Sequence, residues 1–142
     1  MLTKNRIGFV ILVVAVLLAL LLGTKGQSNS VYAQSINLAL NKPASSYGTW
    51  CGSDESPAKA FNGSVSGGFA DKWCATDSPK WLQVDLGADH TINQFVVKHA
   101  GAGGEPTSRN TKDFNIQIST NNSDWTTVVN ITNSSDSITT HT

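Results

Sequence analysis

The side chains with reactive potential in this 142-residue chain are ten carboxylates, three histidines and two cysteines. A glycosidase needs two carboxyl groups roughly 5–10 Å apart across a cleft, and nothing in the carboxylate spacing singles out such a pair. His99 has no serine or cysteine nucleophile pattern near it. The run His99-Ala100-Gly101-Ala102-Gly103-Gly104-Glu105 is glycine-rich, as a phosphate cradle is, but a cradle opens a helix and usually carries a Lys-Ser/Thr pair. Here the run leads through Pro106 to Arg109 and into another strand pattern, which argues against nucleotide binding. Cys51 and Cys74 each follow a tryptophan, Trp50 and Trp73. With no CxxC spacing and no paired histidine they do not read as zinc ligands. No catalytic arrangement emerges, and the chemistry left is that of binding.

The elements that must position these groups begin after residue 33. Residues 1–33 hold Lys4, Arg6 and Lys25 and no acid, and an unbroken apolar run extends from Ile7 to Leu22. This is the pattern of a secretory signal peptide. Val31-Tyr32-Ala33 places small residues for a cut before Gln34, the alternative being an uncleaved N-terminal membrane anchor. Sixteen apolar residues fall just short of the roughly 17–25 that span a bilayer. Either way residues 34–142 are expected outside the cell, secreted or at its surface. An even pair of cysteines there is most simply a disulfide between Cys51 and Cys74, stabilising by roughly 3 kcal/mol in the chain-entropy model.

In residues 34–142 seven basic side chains face ten acidic ones, a net charge of −3. That balance argues against a nucleic-acid partner, since phosphate binding rests on clustered Lys and Arg, and weakens any polybasic contact of the domain with a membrane. Four stretches read as strands: Trp81–Leu86, Ile92–Lys98, Phe114–Ser119 and Trp125–Ile131. Ile92–Lys98 is apolar enough to be buried on both faces around Phe95 and Val97. Phe114–Ser119 has strict alternation, and Asn121-Asn122-Ser123-Asp124 is a turn cluster, so the last two stretches read as a hairpin. The helix-like piece is Ser56–Phe61, with Ser56 as cap and Pro57 at the first helical position. Trp81 and Trp125 lie inside strand patterns and are expected to pack. The chain is expected to be all-β, a single sandwich-like domain.

The opening NLALNKPASS (Asn37–Ser46) resembles that of coagulation factor V/VIII C-type, or discoidin, domains, which include the family-32 carbohydrate-binding modules. SPAKAFNG (Ser56–Gly63), DKWCA (Asp71–Ala75), KWLQVDLG (Lys80–Gly87), TINQFVVKH (Thr91–His99) and NTKDFNIQIS (Asn110–Ser119) are similar to further family segments in the same order. The resemblance implies an eight-stranded, galactose-binding-like jelly-roll β-sandwich whose loops at one end bind ligand. It also implies closing strands beyond Thr142, so the chain is read as a domain incomplete at its C-terminus. The function implied is a non-catalytic carbohydrate-binding module, in an N-terminal part of a larger secreted glycosidase or surface protein. The alternatives are an adhesion module for protein or lipid and a structural spacer.

The resemblance assigns residues as well. The glycine-rich loop matches the family's ligand-binding connection, with Asn110 at the family's Asn position and Arg109 displaced from the usual Arg, which falls where this chain has Gly or Glu105. A galactose-type sugar presents an apolar face for stacking and a rim of hydroxyls. His99, Asn110 and Arg109 are expected to grip the hydroxyls, while Trp50 or Glu55 closes one side and Asp54 shares their loop. Trp73 resembles the family's core tryptophan. Asn62 occupies the position of an Asp in the family's structural calcium site, where Asp71 would be a further ligand and Ser64 and Val65 could add oxygens.

Overall fold

The computed structural model describes residues 2–3 and 36–142. The remainder of the apolar leader, with Lys4, Arg6, Lys25 and the expected cut before Gln34, lies outside the described residues. Among the described residues there is no α-helix, and none is long and apolar enough to cross a membrane. The regular elements among the described residues include seven strands: β1 (Leu2–Thr3), β2 (Ala44–Ser46), β3 (Leu82–Asp85), β4 (Phe95–Lys98), β5 (Phe114–Ser119), β6 (Thr126–Ile131) and β7 (Ile138–His141). Four short 3-10 turns accompany them, Pro57–Phe61, Gly68–Asp71, Ala100–Gly103 and Thr107–Arg109.

The strands form a five-stranded sheet in the order β2-β3-β1-β5-β6 and a two-stranded sheet of β4 and β7. All pairs are antiparallel except those of β1, which runs parallel to β3 and to β5. The protein is therefore mostly β. Phe114 of β5 ties the sheets together, its ring 5.3 Å from that of His99 beyond β4 and 6.0 Å from that of His141 in β7.

The expected hairpin is present. β5 and β6 pair from Phe114↔Ile131 to Ile118↔Thr126, with a register shift between Ile116 and Gln117. Its turn centres on Asn121, whose Oδ1 accepts the N–H groups of Ser123 and Asp124, both at 2.9 Å, with Ser119 and Asp124 side chains bonding to Asn121 as well. Asn122 then takes a positive φ of 61°, which asparagine tolerates better than most residues. Where four stretches read as strands, β1, β2 and β7 are additional, and β1 falls within the expected leader. β7 is built from Ser, Thr and Ile and covers β4 in the register Phe95↔His141 to Lys98↔Ile138.

Three expectations are corrected. β4 is shorter than Ile92–Lys98 and is not buried on both faces: Phe95 and Val97 are half-buried, while Val96 is 51% exposed. The turn at Pro57–Phe61 does have Pro at its start, but Ser56 makes no side-chain cap. Trp81 precedes β3 with its ring exposed rather than packed inside.

The apolar core is small. Ala75, Val84, Leu86 and Ile116 are its buried members among the described residues, with Val84 and Leu86 enclosed completely or nearly so. Deleting most of a side chain there removes transfer energy and leaves a cavity, together about 2–5 kcal/mol for Leu to Ala. Leu86→Ala should lower the melting temperature by about 10 °C or more. A thermal melt followed by circular dichroism that moves by less than about 2 °C would show that Leu86 is not the core position assigned to it.

Candidate functional site

The glycine-rich loop leaves β4 at His99 and returns to β5 at Phe114. Its first half coils as the 3-10 turn Ala100–Gly103, which Gly104 ends with a φ of 86°. Gly101 is where a side chain has no room: a Cβ there would sit 2.3 Å from Ser137 Oγ and 3.0 Å from Asn110 Oδ1. That approach lets Asn110 clamp the loop. Asn110 is buried, and its Oδ1 accepts the Gly101 N–H at 2.7 Å. Its Nδ2 donates to the carbonyls of Asp136 at 3.1 Å and Ser135 at 3.3 Å, in the segment that leads into β7.

His99 is also buried. Its N–H donates to the Ser137 carbonyl at 2.9 Å, and its Nε2 lies 3.4 Å from Thr139 Oγ1. Burial depresses its pKa, against a smaller upward pull from Asp136 and with a further push down from His141. The sequence reading set His99 and Asn110 against the ligand. In the structure their polar atoms hold the loop and β7 together, because a buried amide or imidazole must find partners and the nearest are on this chain.

An ion-pair chain crosses the same region. Lys72 Nζ lies 3.2 Å from Glu55 Oε1 and 2.6 Å from Glu105 Oε1. Glu105 Oε2 in turn accepts from Arg109 Nη1 at 2.8 Å. Burial pushes the Lys72 ammonium down, but the hydrogen bonds to Glu105 and Glu55 outweigh it and hold the pKa above the ordinary lysine value. The bonds from Lys72 and then Arg109 hold Glu105 below the usual carboxylate range. Glu55 is the inner end of this chain, its side chain only 9% exposed, and is not the open acceptor that the sequence reading made it. Arg109 is the outer end, its side chain 61% exposed.

Next to this chain lies the loop closed by the Cys51–Cys74 disulfide. Cys51 N–H donates to the Cys74 carbonyl, Cys74 N–H to the Glu55 carbonyl, and Trp50 bridges Ala75. Cys51, Glu55 and Cys74 cluster within 4.8 Å, but the two sulfurs are bonded to each other and no thiolate is left for a metal. Trp50 is 42% exposed, and with Gly48, Thr49, Gly52 and Ser53 it lines a shallow depression. Trp73 is half-buried, with its indole nitrogen enclosed.

The structure thus brings Glu55 and Arg109 into one network and leaves Trp50 on the adjoining surface. Lys72 and Glu105, which join them, were not singled out as ligands. Their contact spans 33 residues of sequence, and no local pattern marks it.

The Asn62–Asp71 segment has a different arrangement. Asn62 Nδ2 donates to Asp71 Oδ1 at 2.6 Å, while Asn62 Oδ1 accepts the Ser64 N–H at 2.9 Å. Asp71 Oδ2 accepts the Gly67 N–H. Bonds from Ser64 and Gly67 hold the Asp71 pKa below the ordinary carboxylate value. Calcium takes six to eight oxygens. Here Asp71 is the one carboxylate, both its oxygens are engaged, and Asn62 aims hydrogen at it where a shared cation would require oxygen. The residues as arranged do not fit calcium.

Among families of known proteins, the model described as the NedA-like, galactose-binding domain of F5/8 type C matches residues 59–142, more than half of the chain. No curated protein and no solved structure matches.

Two outcomes follow from this geometry. Asn110→Ala removes the acceptor of the half-buried Gly101 N–H and the donor to the two carbonyls before β7, which should cost about 1–3 kcal/mol and lower the melting temperature by about 5–10 °C. An Asn110→Ala variant that melts with the wild type would remove the clamp. Calcium bound only to the folded chain would raise its melting temperature by mass action. The melting temperature should instead be the same in excess calcium and in chelator, and a calcium-dependent rise would restore the metal.

Proposed function

We propose that this chain, which belongs to the F5/8 type C family of NedA-like galactose-binding domains, is a non-catalytic carbohydrate-binding module that takes a galactose-type sugar where the loops carrying Trp50, Lys72, Glu105 and Arg109 meet. The family supplies the ligand class. The observation that carries the location is the Glu55–Lys72–Glu105–Arg109 chain. The two sheets joined through Phe114 are read as the layers of a jelly-roll sandwich with these loops at one end. The apolar leader supports an exported protein, and a binding domain of this kind suits an N-terminal part of a larger secreted glycosidase or surface protein.

A sugar hydroxyl gains little from a protein group that is mobile or already satisfied by water. Glu105 is held from two sides by Lys72 and Arg109, which orders its carboxylate before a sugar hydroxyl donates to a remaining lone pair. Arg109 offers donors in a rigid fork beyond the one engaged by Glu105, and the exposed Trp50 ring offers an apolar face. Such an open site should bind weakly, with a Kd on the order of 0.1–1 mM, or about 4–5.5 kcal/mol.

A glycan array followed by calorimetry on the best ligand tests this. Arg109→Ala and Trp50→Ala should each weaken binding by about tenfold, about 1.4 kcal/mol, while the melting temperature holds within about 3 °C. Liposomes should not retain the domain. A bound sugar whose affinity ignores both substitutions would put the site elsewhere, and retention by liposomes with no sugar bound would replace the carbohydrate reading with a lipid one.

A further inference from the structure

Beyond the loop site, the sheet carries a second surface with the composition of a sugar-stacking platform. β2 and β3 pair as Ala44↔Val84, Ser45↔Gln83 and Ser46↔Leu82. The next position in this register is Tyr47 opposite Trp81, and the Tyr47 N–H does donate to the Trp81 carbonyl at 3.2 Å. Alternation along a strand places Ala44, Val84, Ser46 and Leu82 on the inner face and Ser45, Gln83, Tyr47 and Trp81 on the outer one. Burial agrees: Val84 is fully enclosed, whereas Tyr47 is 46% and Trp81 37% exposed.

The two rings lie with centroids 6.5 Å apart and planes at 38°. Beside them on the same face, Gln83 Nε2 donates to Asn122 Oδ1 at 2.7 Å, which fixes one amide against the hairpin turn. The platform therefore combines two aromatic faces with a fixed edge of amide and hydroxyl groups from Gln83, Asn122 and Ser45. A cross-strand aromatic pair contributes roughly 0.2–1 kcal/mol to a sheet, which does not account for leaving both rings open to solvent.

We propose that this outer face of β2 and β3 binds a second sugar residue of a linear glycan whose terminal unit occupies the loop site. The proposal rests on the carbohydrate reading above. Two observations favour a glycan over a protein partner. The patch pairs two exposed rings with the polar side chains of Gln83, Asn122 and Ser45, the combination of an apolar face and hydrogen-bonding groups that a pyranose matches. The patch is also continuous with the loop region, because the depression lined by Gly48, Thr49 and Trp50 begins one residue beyond Tyr47. Gly48 makes that turn possible. Its φ is 88°, and a Cβ there would lie 2.8 Å from that of Asp77, whose carboxylate accepts the Thr49 N–H. A chain laid along residues 47–53 meets the ring pair and the depression in succession.

Calorimetric titration of the full chain with galactose and with a soluble linear galactan tests the platform. The wild type should bind galactan at least tenfold more tightly per chain than galactose. Tyr47→Ala/Trp81→Ala should bring galactan affinity down to the galactose value while leaving galactose affinity and melting temperature in place. Gln83→Ala, which keeps both rings, should weaken galactan alone by about threefold and guards against a misfolded double variant. Equal affinity for the two ligands in the wild type, or galactan binding untouched by these substitutions, overturns the platform and leaves the loop site standing. If the wild type binds neither sugar, the galactose reading falls and the platform falls with it.

Discussion

A buried carboxamide has one acceptor and two donor hydrogens, and leaving any of them unmatched costs more than the matched bond contributes. Asn110 meets that demand by reaching both into the glycine-rich loop, at Gly101, and into the segment before β7, at Ser135 and Asp136. The constraint acts outward from there. Gly101 must lack a side chain, the loop must coil tightly enough to present its N–H, and residues 135–137 must run alongside before β7 can cover β4. The same coil carries Glu105 to within reach of Lys72. Loop shape and charge network share one origin.

The strands were legible wherever apolar side chains alternate strictly or a turn cluster bounds them. Phe114–Ser119 meets both conditions and becomes β5 with the bounds expected of it. β7 was not legible, because Ile138-Thr139-Thr140-His141 has too little apolar content to register and acquires its identity only by pairing with β4. β2, three residues long, was hidden for the same reason. The reading of β4 failed in the opposite direction. A continuous apolar run suggests burial on both faces, yet a two-stranded sheet leaves Val96 facing out. Trp81 shows how little residue type alone decides, since its register opposite Tyr47 sets which face it joins.

For the proposed site, the sequence resemblance names loop residues whose burial it does not reveal. Asn110 and His99 are polar residues in a loop, and loops carry function; their burial becomes visible only once β7 is in place. Glu55 likewise reads as an open acceptor in the sequence, while in the structure Lys72 pairs with it and its side chain is buried. The amide at Asn62 is the clearest single-atom case: its nitrogen donates to Asp71, where a carboxylate oxygen could only accept.

The small core has a thermodynamic consequence. Heat-capacity change on unfolding rises with the apolar surface newly hydrated and falls with the polar surface. A chain whose described residues bury few large apolar side chains, and whose loops are closed by Asn, Ser and Asp contacts instead, should unfold with less than the usual 12–15 cal/mol/K per residue. Its free energy of unfolding would then vary gently with temperature, giving a broad, low dome in place of a sharp maximum. The fold would resist cooling better than a protein of equal stability built around a larger apolar interior.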